Sequence, residues 1–243
     1  VRSRPSLALV ALAVLAAGCA TAPGIDAPAS GSHGAALVAD PFTADGLASG
    51  AWTKGFWYPR ADAVEGQASI SEGEMRVAVR PGTLSAFGAA HAIEGRADGL
   101  VLEAKVRVHT LYRTGVYLAG PTTWAGVELD AEGFCLCANS SSVQWQPTFF
   151  GPRPLPEMDY TVRLDLRADG TAEAQVWDDA SHLVASVARA DVQVRPADVR
   201  QVWFGTWMDD ASSPPSSASL AWIAAWDRQL TPAQERAILQ DLS

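Results

Sequence analysis

Residues 126–134 read GVELDAEGF, and two foldings of this stretch lead to different proteins. The carboxylates Glu128, Asp130 and Glu132 stand at alternating positions. On one continuous strand, period-two geometry sets all three on the same face. A turn at Asp130-Ala131-Glu132-Gly133, with glycine where positive φ is cheap, instead makes a β-hairpin with Glu132 at its tip. A similar form recurs at Leu166-Arg167-Ala168-Asp169-Gly170, where a hairpin turn is the plain reading. The turn is therefore the expected conformation, and it pairs WAGVEL (124–129) with FCLCA (134–138).

Alternation continues on both sides of this hairpin. EMRVAVR (74–80) sets Met75, Val77 and Val79 on one face. LVLEAKVRV (100–108) opposes Leu102, Ala104, Val106 and Val108 to Glu103, Lys105 and Arg107. YTVRLDL (160–166) sets Val162, Leu164 and Leu166 against Thr161, Arg163 and Asp165. Further strands are expected at 114–119, 171–177, 183–187, 199–207 and 220–226. Short turns and no βαβ alternation make this an all-β chain, an antiparallel β-sandwich. One helix is expected, at the end: Thr231-Pro232-Ala233-Gln234 supplies a capping hydroxyl, proline at the first helical position and glutamine at N3.

The chain opens VRSRPSLALVALAVLAAGCA, a short basic region followed by an apolar run and small residues up to Cys19. That is the layout of a bacterial export signal, and the run is shorter than the ~20 residues a membrane span needs. Leu15-Ala16-Ala17-Gly18-Cys19 resembles a lipoprotein signal, which implies lipidation of Cys19, a membrane anchor and a place in the bacterial cell envelope, at the outer membrane or periplasmic face. The expected organisation is a signal peptide at 1–18, an Ala/Pro/Gly/Ser-rich flexible tether at 19–36, and one sandwich at 37–243. The formal net charge is −9, which argues against nucleic acid or an anionic membrane surface as partner.

The tail SLAWIAAWDRQLTPAQERAIL (219–239) resembles the closing strand and helix of concanavalin A-like domains of the laminin-G-like kind. Trp226, Asp227, Arg228, Leu230 and Thr231 occupy that pattern, while Gln234 and Glu235 depart from it. The segments 98–108, 114–120, 124–136 and 159–179 have the strand order of the same superfamily, and FTADGLASGAWTKGFW (42–57) resembles its sugar-acting members. The resemblance implies a jelly roll of two curved sheets, a concave face that meets carbohydrate, and a helix covering one end of the sandwich. Fold alone does not decide function.

Within that superfamily, family-16 glycoside hydrolases carry Glu-x-Asp-x-Glu on one strand. The resemblance implies Glu128 as nucleophile, Asp130 as helper and Glu132 as general acid/base, with the two glutamates about 5–5.5 Å apart. The chain departs from the family at Ala131, where a bulky apolar residue is usual, and at Gly133.

Nine tryptophans suit a carbohydrate groove, since aromatic faces stack on sugar rings. Trp57, Trp124, Trp145 and Trp207 are the candidates; Trp222 and Trp226 are expected in the core. Paired aspartates at Asp178-Asp179 and Asp209-Asp210 are calcium candidates, though calcium takes six to eight oxygens and two adjacent carboxylates fall short. No other cofactor is expected. Cys135 and Cys137 point to the same side of a strand; buried free thiols are expected, with a bridge as the alternative. No serine-hydrolase, zincin, phosphate-loop or nucleotide fingerprint occurs.

The leading expectation is an exported lipoprotein whose sandwich binds a glycan or other surface ligand without catalysis. A retaining glycoside hydrolase using Glu128 and Glu132 is the alternative, and a structural or adhesion module with a protein partner is the second.

Overall fold

A computed structural model describes residues 36–56, 66–79, 85–140, 143–208 and 214–242. Fifteen strands occur among them: β1 (Ala36–Asp40), β2 (Thr53–Phe56), β3 (Gln67–Ser71), β4 (Glu74–Val79), β5 (Ser85–Ala92), β6 (Gly99–Thr110), β7 (Arg113–Ala119), β8 (Trp124–Asp130), β9 (Gly133–Ser140), β10 (Val143–Phe150), β11 (Asp159–Arg167), β12 (Ala172–Asp178), β13 (Leu183–Arg189), β14 (Gln201–Met208) and β15 (Ser216–Asp227). Two short helices join them, α1 (Gly46–Ser49) and α2 (Pro232–Gln240).

The strands form two antiparallel sheets. One runs β13-β12-β11-β6-β15-β4-β3, with β1 paired to the far part of β15; the other runs β10-β9-β8-β7-β14-β5-β2. This is the expected all-β antiparallel sandwich with a C-terminal helix. Alternation decides which side chains lie between the sheets. From the first sheet come Leu102, Val106, Val162, Leu164 and Ile223; from the second, Val116, Leu118, Val127, Leu136 and Phe204. Each such side chain contributes roughly 1.5–3 kcal/mol on leaving water, so the inner faces dominate the stability of the fold.

The outer face of the first sheet carries α2. Its capping box forms as expected: the Thr231 side chain accepts from the Gln234 amide, and the Gln234 side chain accepts from the Thr231 amide. Ile238 and Leu242 pack on Val101, Ala224 and Trp226. Trp226 is thus buried under the helix rather than between the sheets, and half-buried Trp222 packs against the same layer. The helix covers a sheet face, not an end of the sandwich as the family resemblance implied. The reason is the length of β6 and β15, twelve residues each, whose outer apolar positions need cover.

Polar groups lock this layer. Arg163 on β11 donates to Glu103 on β6 at 3.3 Å and to both Glu235 oxygens on α2 at 3.3 Å. The Trp226 indole N–H donates to Glu235 at 3.1 Å, and the guanidinium lies 5.5 Å from the Trp226 ring centroid. Glu235, which departs from the family pattern, is therefore the residue that ties helix to sheet. Arg228 does pair beside the sheet, with Asp165 at 2.8 Å.

Glu103 is 8% exposed, and burial pushes its carboxyl above the ordinary value against the pull of Arg163. Removing a partner from a buried ion pair costs about 3–5 kcal/mol. Arg163→Met is expected to lower unfolding stability by about 2–4 kcal/mol, allowing for partial exposure of the arginine. Adding Glu103→Gln should restore part of the loss. Urea unfolding of the single and double variants checks this, and an unchanged midpoint in the single variant would show that the cluster adds no net stability.

Candidate functional site

The stretch at 126–134 folds as a hairpin. β8 ends at Asp130, β9 starts at Gly133, and these two residues face each other across the ladder. The Glu132 amide donates to the Asp130 carboxylate at 3.0 Å, and Gly133 takes φ 149°. Glu132 is exposed in the turn. The strand that would align three acids therefore stops after two. Glu128 and Asp130 share the outer face of the second sheet, and Glu132 belongs to the turn. This corrects the triad reading implied by family 16; the physical reason is the glycine and the short side chain of Ala131.

Glu128 is fully buried and held by Arg113, whose Nε and Nη2 lie 3.3 Å from one carboxylate oxygen. Asp130 lies 3.7 Å from the same guanidinium. The Tyr117 hydroxyl also bonds to Glu128. Burial pushes the Glu128 carboxyl above its ordinary value and Asp130 adds to that, while Arg113 pulls it down. A carboxylate that is sealed from solvent and paired to arginine is poorly placed to attack an anomeric carbon.

The rest of that outer face follows from the register. One row across it reads Thr53, Ala90, Trp203, Tyr117, Gly126 and Cys137. The next reads Gly55, Gly88, Gly205, Gly115, Glu128 and Cys135. The glycines make room for rings. A Cβ on Gly205 would strike the Trp203 ring, and one on Gly126 would strike the Tyr117 ring. The rings therefore lie against the sheet instead of standing off it. Tyr117 meets Trp124 edge-on at 5.4 Å and Trp203 at 5.2 Å between centroids.

Cys135 and Cys137 form a disulfide with Cα atoms 5.6 Å apart, which corrects the expectation of free thiols. They are consecutive outer-face positions of β9, opposite Glu128 and Gly126 of β8. The two sulfurs and a Glu128 oxygen lie within 4.8 Å of one another. Sulfur in a disulfide is not the thiolate that binds metal, and Arg113 already holds Glu128. In this state the trio does not fit a metal.

Beside the rings the face opens into a groove of about 570 Å³. It is lined by the small residues Gly55, Ala90, Ala92, Ala119 and Gly120, by Trp203 and Pro121, and by Thr53, Lys54, Arg200 and Gln201. Small lining residues and a few polar groups are what a small ligand site needs.

Of the four candidate tryptophans, Trp124 is buried at 2% exposure within the aromatic layer. Trp145 and Trp207 lie on β10 and β14, and their side chains are outside the described residues, as is all of Trp57. Trp203, of the same outer face, is the tryptophan that lines the groove. Asp178 spends its carboxylate on its own turn, accepting from the His182 amide at 2.8 Å and lying 3.3 Å from the His182 ring. That amide holds the Asp178 carboxyl below its ordinary range. Asp179 is exposed, and Asp209 and Asp210 lie outside the described residues, as does Cys19. The sequence reading missed Arg113, Tyr117, Lys54, Arg200 and Gln201. The available signal was glycine inside strands, which marks close approach of a ring or backbone.

Neither a family model nor a curated protein matches the sequence. Solved structures share the fold. A protein of unknown function from Shewanella oneidensis MR-1 is similar with a TM-score of 0.58 at 13% identity, covering 84% of this chain and 95% of that one. The CBM2 module of the evolved Dit of Lactobacillus casei BL23 phage J-1 is similar with a TM-score of 0.56 at 12% identity, covering 78% and 94%. A structure described with endo-acting O-glycanases of the human gut microbiota that initiate mucin breakdown gives 0.52 at 12% identity, covering 79% and 98%. At such identities the likeness is one of fold.

The raised Glu128 carboxyl has a pH signature. A carboxyl whose folded pKa exceeds its unfolded one binds protons more readily in the folded state. Its contribution favours folding below the ordinary value of 4.5 and is lost as pH rises through the folded value. Stability should fall with rising pH in that window, by at most about 1.4 kcal/mol per pH unit from this group. Glu128→Gln should flatten the decline, leaving the part that belongs to Glu103. Urea midpoints measured from pH 4.5 to neutrality check it; identical profiles for the two proteins would show that Glu128 is not the titrating group.

Proposed function

We propose that this protein is an exported, lipid-anchored β-sandwich that binds a glycan without cleaving it. The groove of about 570 Å³ beside Trp203 carries the reading. Its lining combines small alanine and glycine residues with the Trp203 ring and the polar groups of Thr53 and Gln201. Of the structures whose fold this chain shares, one is described as a CBM2 module and one with O-glycanases that initiate mucin breakdown. Binding is preferred to hydrolysis because the two glutamates that a retaining mechanism would pair are differently placed. Glu128 is sealed against Arg113, and Glu132 is exposed in a turn.

The export part of the proposal rests on residues 1–19 and the fit of Cys19 to a lipidation site. A tether of about fifteen residues of flexible composition would let the sandwich reach ligands some 20 Å from the membrane. The anchor places the protein at the outer membrane or periplasmic face. Calcium at Asp178 and Asp179 remains a separate proposal, with the Asp178 turn as its competitor for the carboxylate.

Glycan-array binding by the full chain in detergent tests the site. The protein is expected to retain a subset of glycans and to release no reducing ends from them. Ala92→Trp, at an exposed lining position, should abolish retention without moving the unfolding midpoint. Retention unaffected by Ala92→Trp would remove the groove as the site, and silence across the array would favour a protein partner. For the anchor, palmitate labelling should occur in the intact chain and vanish in Cys19→Ala.

A further inference from the structure

Three buried groups on the outer face of the second sheet do not line the groove: Glu128, Cys135 and Cys137, each at 0% exposure. Glu128 on β8 stands opposite Cys135 on β9, and Cys137 is the next outer-face position. A Glu128 oxygen and the two sulfurs lie within 4.8 Å of one another. The cysteines pack with Tyr117, Ala119, Trp124 and Trp203. Their bridge spans a single intervening residue. Loop-closure entropy grows with loop length, so a bridge this short stabilises the fold least. A sealed carboxylate beside it adds a desolvation cost. Stability alone does not account for the trio.

We infer that Cys135, Cys137 and Glu128 form a redox-gated site for a thiophilic divalent cation of the zinc class, closed as the disulfide and opened by a dithiol reductant. One thiolate of the reductant attacks a bridge sulfur, the S–S bond breaks, and the freed sulfur leaves as a thiolate and takes a proton. The reductant's second thiol then displaces the other protein sulfur and closes its own disulfide. The two protein thiols give up two protons to bind the cation. The pair lies one strand in from the edge strand β10, and opening of that edge admits the reductant. Zinc takes thiolate sulfur at about 2.3 Å and carboxylate oxygen at about 2.0–2.2 Å, which sets tetrahedral neighbours roughly 3.5–3.8 Å apart. The three ligand atoms already lie inside 4.8 Å, and Cα atoms 5.6 Å apart let side-chain rotation part the sulfurs to that distance. A water completes the four.

Arg113 suits this site rather than opposing it. Its Nε and Nη2, 3.3 Å from one Glu128 oxygen, orient the carboxylate as donors beside a ligating carboxylate do. Two thiolates and a carboxylate carry three negative charges, and a divalent cation with Arg113 carries three positive ones. Asp130, 3.7 Å from the same guanidinium, lies outside that balance and accepts from the Glu132 amide at 3.0 Å. Two sulfurs and one oxygen select against calcium and magnesium, which take about six or more oxygens.

Cobalt(II) titration of the full chain in detergent under argon tests the inference, since cobalt takes the same ligands as zinc and is coloured when bound by thiolates. A phosphine, which ends as its oxide with oxygen drawn from water, should open the bridge to two thiols in the folded protein. The reduced chain is expected to bind about one equivalent of cobalt with thiolate-to-metal absorption, and zinc should displace it. The oxidised chain should bind at least about a hundredfold more weakly, and Cys19→Ala should load as the parent does. Cys135→Ser and Cys137→Ser should each weaken loading roughly a hundredfold, and Glu128→Gln, which keeps both sulfurs, at least about tenfold. Zinc should raise the urea midpoint of the reduced chain and leave that of the oxidised chain unmoved. A bridge that the phosphine does not open in the folded protein, equal loading of reduced and oxidised chains, or full loading in any of the three site variants would each overturn the inference.

Discussion

Everything else in this structure depends on the packing of two inner sheet faces against each other. Period-two burial along β6, β11 and β15 on one side, and β7, β8 and β14 on the other, removes a continuous set of apolar side chains from water. Once those faces are committed, each sheet still has an outer face to manage. The two outer faces are treated differently, and that difference separates scaffold from site.

The first sheet covers its outer face with a helix. The apolar contacts of Ile238 and Leu242 supply the burial, but a buried glutamate at that layer would cost several kcal/mol without a partner. Arg163 meets the need by bridging Glu103 and Glu235 while lying near the Trp226 ring. The second sheet covers part of its outer face with its own side chains. Tyr117 and Trp203 lie down over strand glycines, and the Arg113–Glu128 pair sits beside them. Where the rings stop and alanines begin, the face opens as a groove. The acids that dominate the sequence pattern thus help to build the wall, and the open surface is made of residues with little signal of their own.

Legibility in the sequence followed the strength of local periodicity. YTVRLDL and LVLEAKVRV alternate cleanly and appear as β11 and β6. The helix at Pro232–Gln240 was readable because capping is a contact between near neighbours. β5 reads SAFGAAHA and β2 reads TKGF, with small residues where β-branched ones would signal a strand, so neither was anticipated. β10 carries Pro147 and occupies a sheet edge, where proline is tolerated. The cysteines were ambiguous because their spacing sets both sulfurs on one side whether or not they bond. The groove itself was invisible: residues 53–55, 90–92, 119–121 and 200–203 meet only through pairing of β2, β5, β14 and β7.

By itself the sequence determined the secondary-structure class, the hairpin at Asp130–Gly133 and the capped final helix. These rest on interactions among residues a few positions apart, which composition and spacing can report. Tertiary structure alone decided that Glu128 is sealed by Arg113, that α2 lies on a sheet face, and that β2, β5, β7 and β14 together line a groove. Those outcomes depend on strand order and register, which no single segment encodes. The three alternating acids at the start therefore split into a buried ion-pair partner, a turn-forming aspartate and an exposed tip.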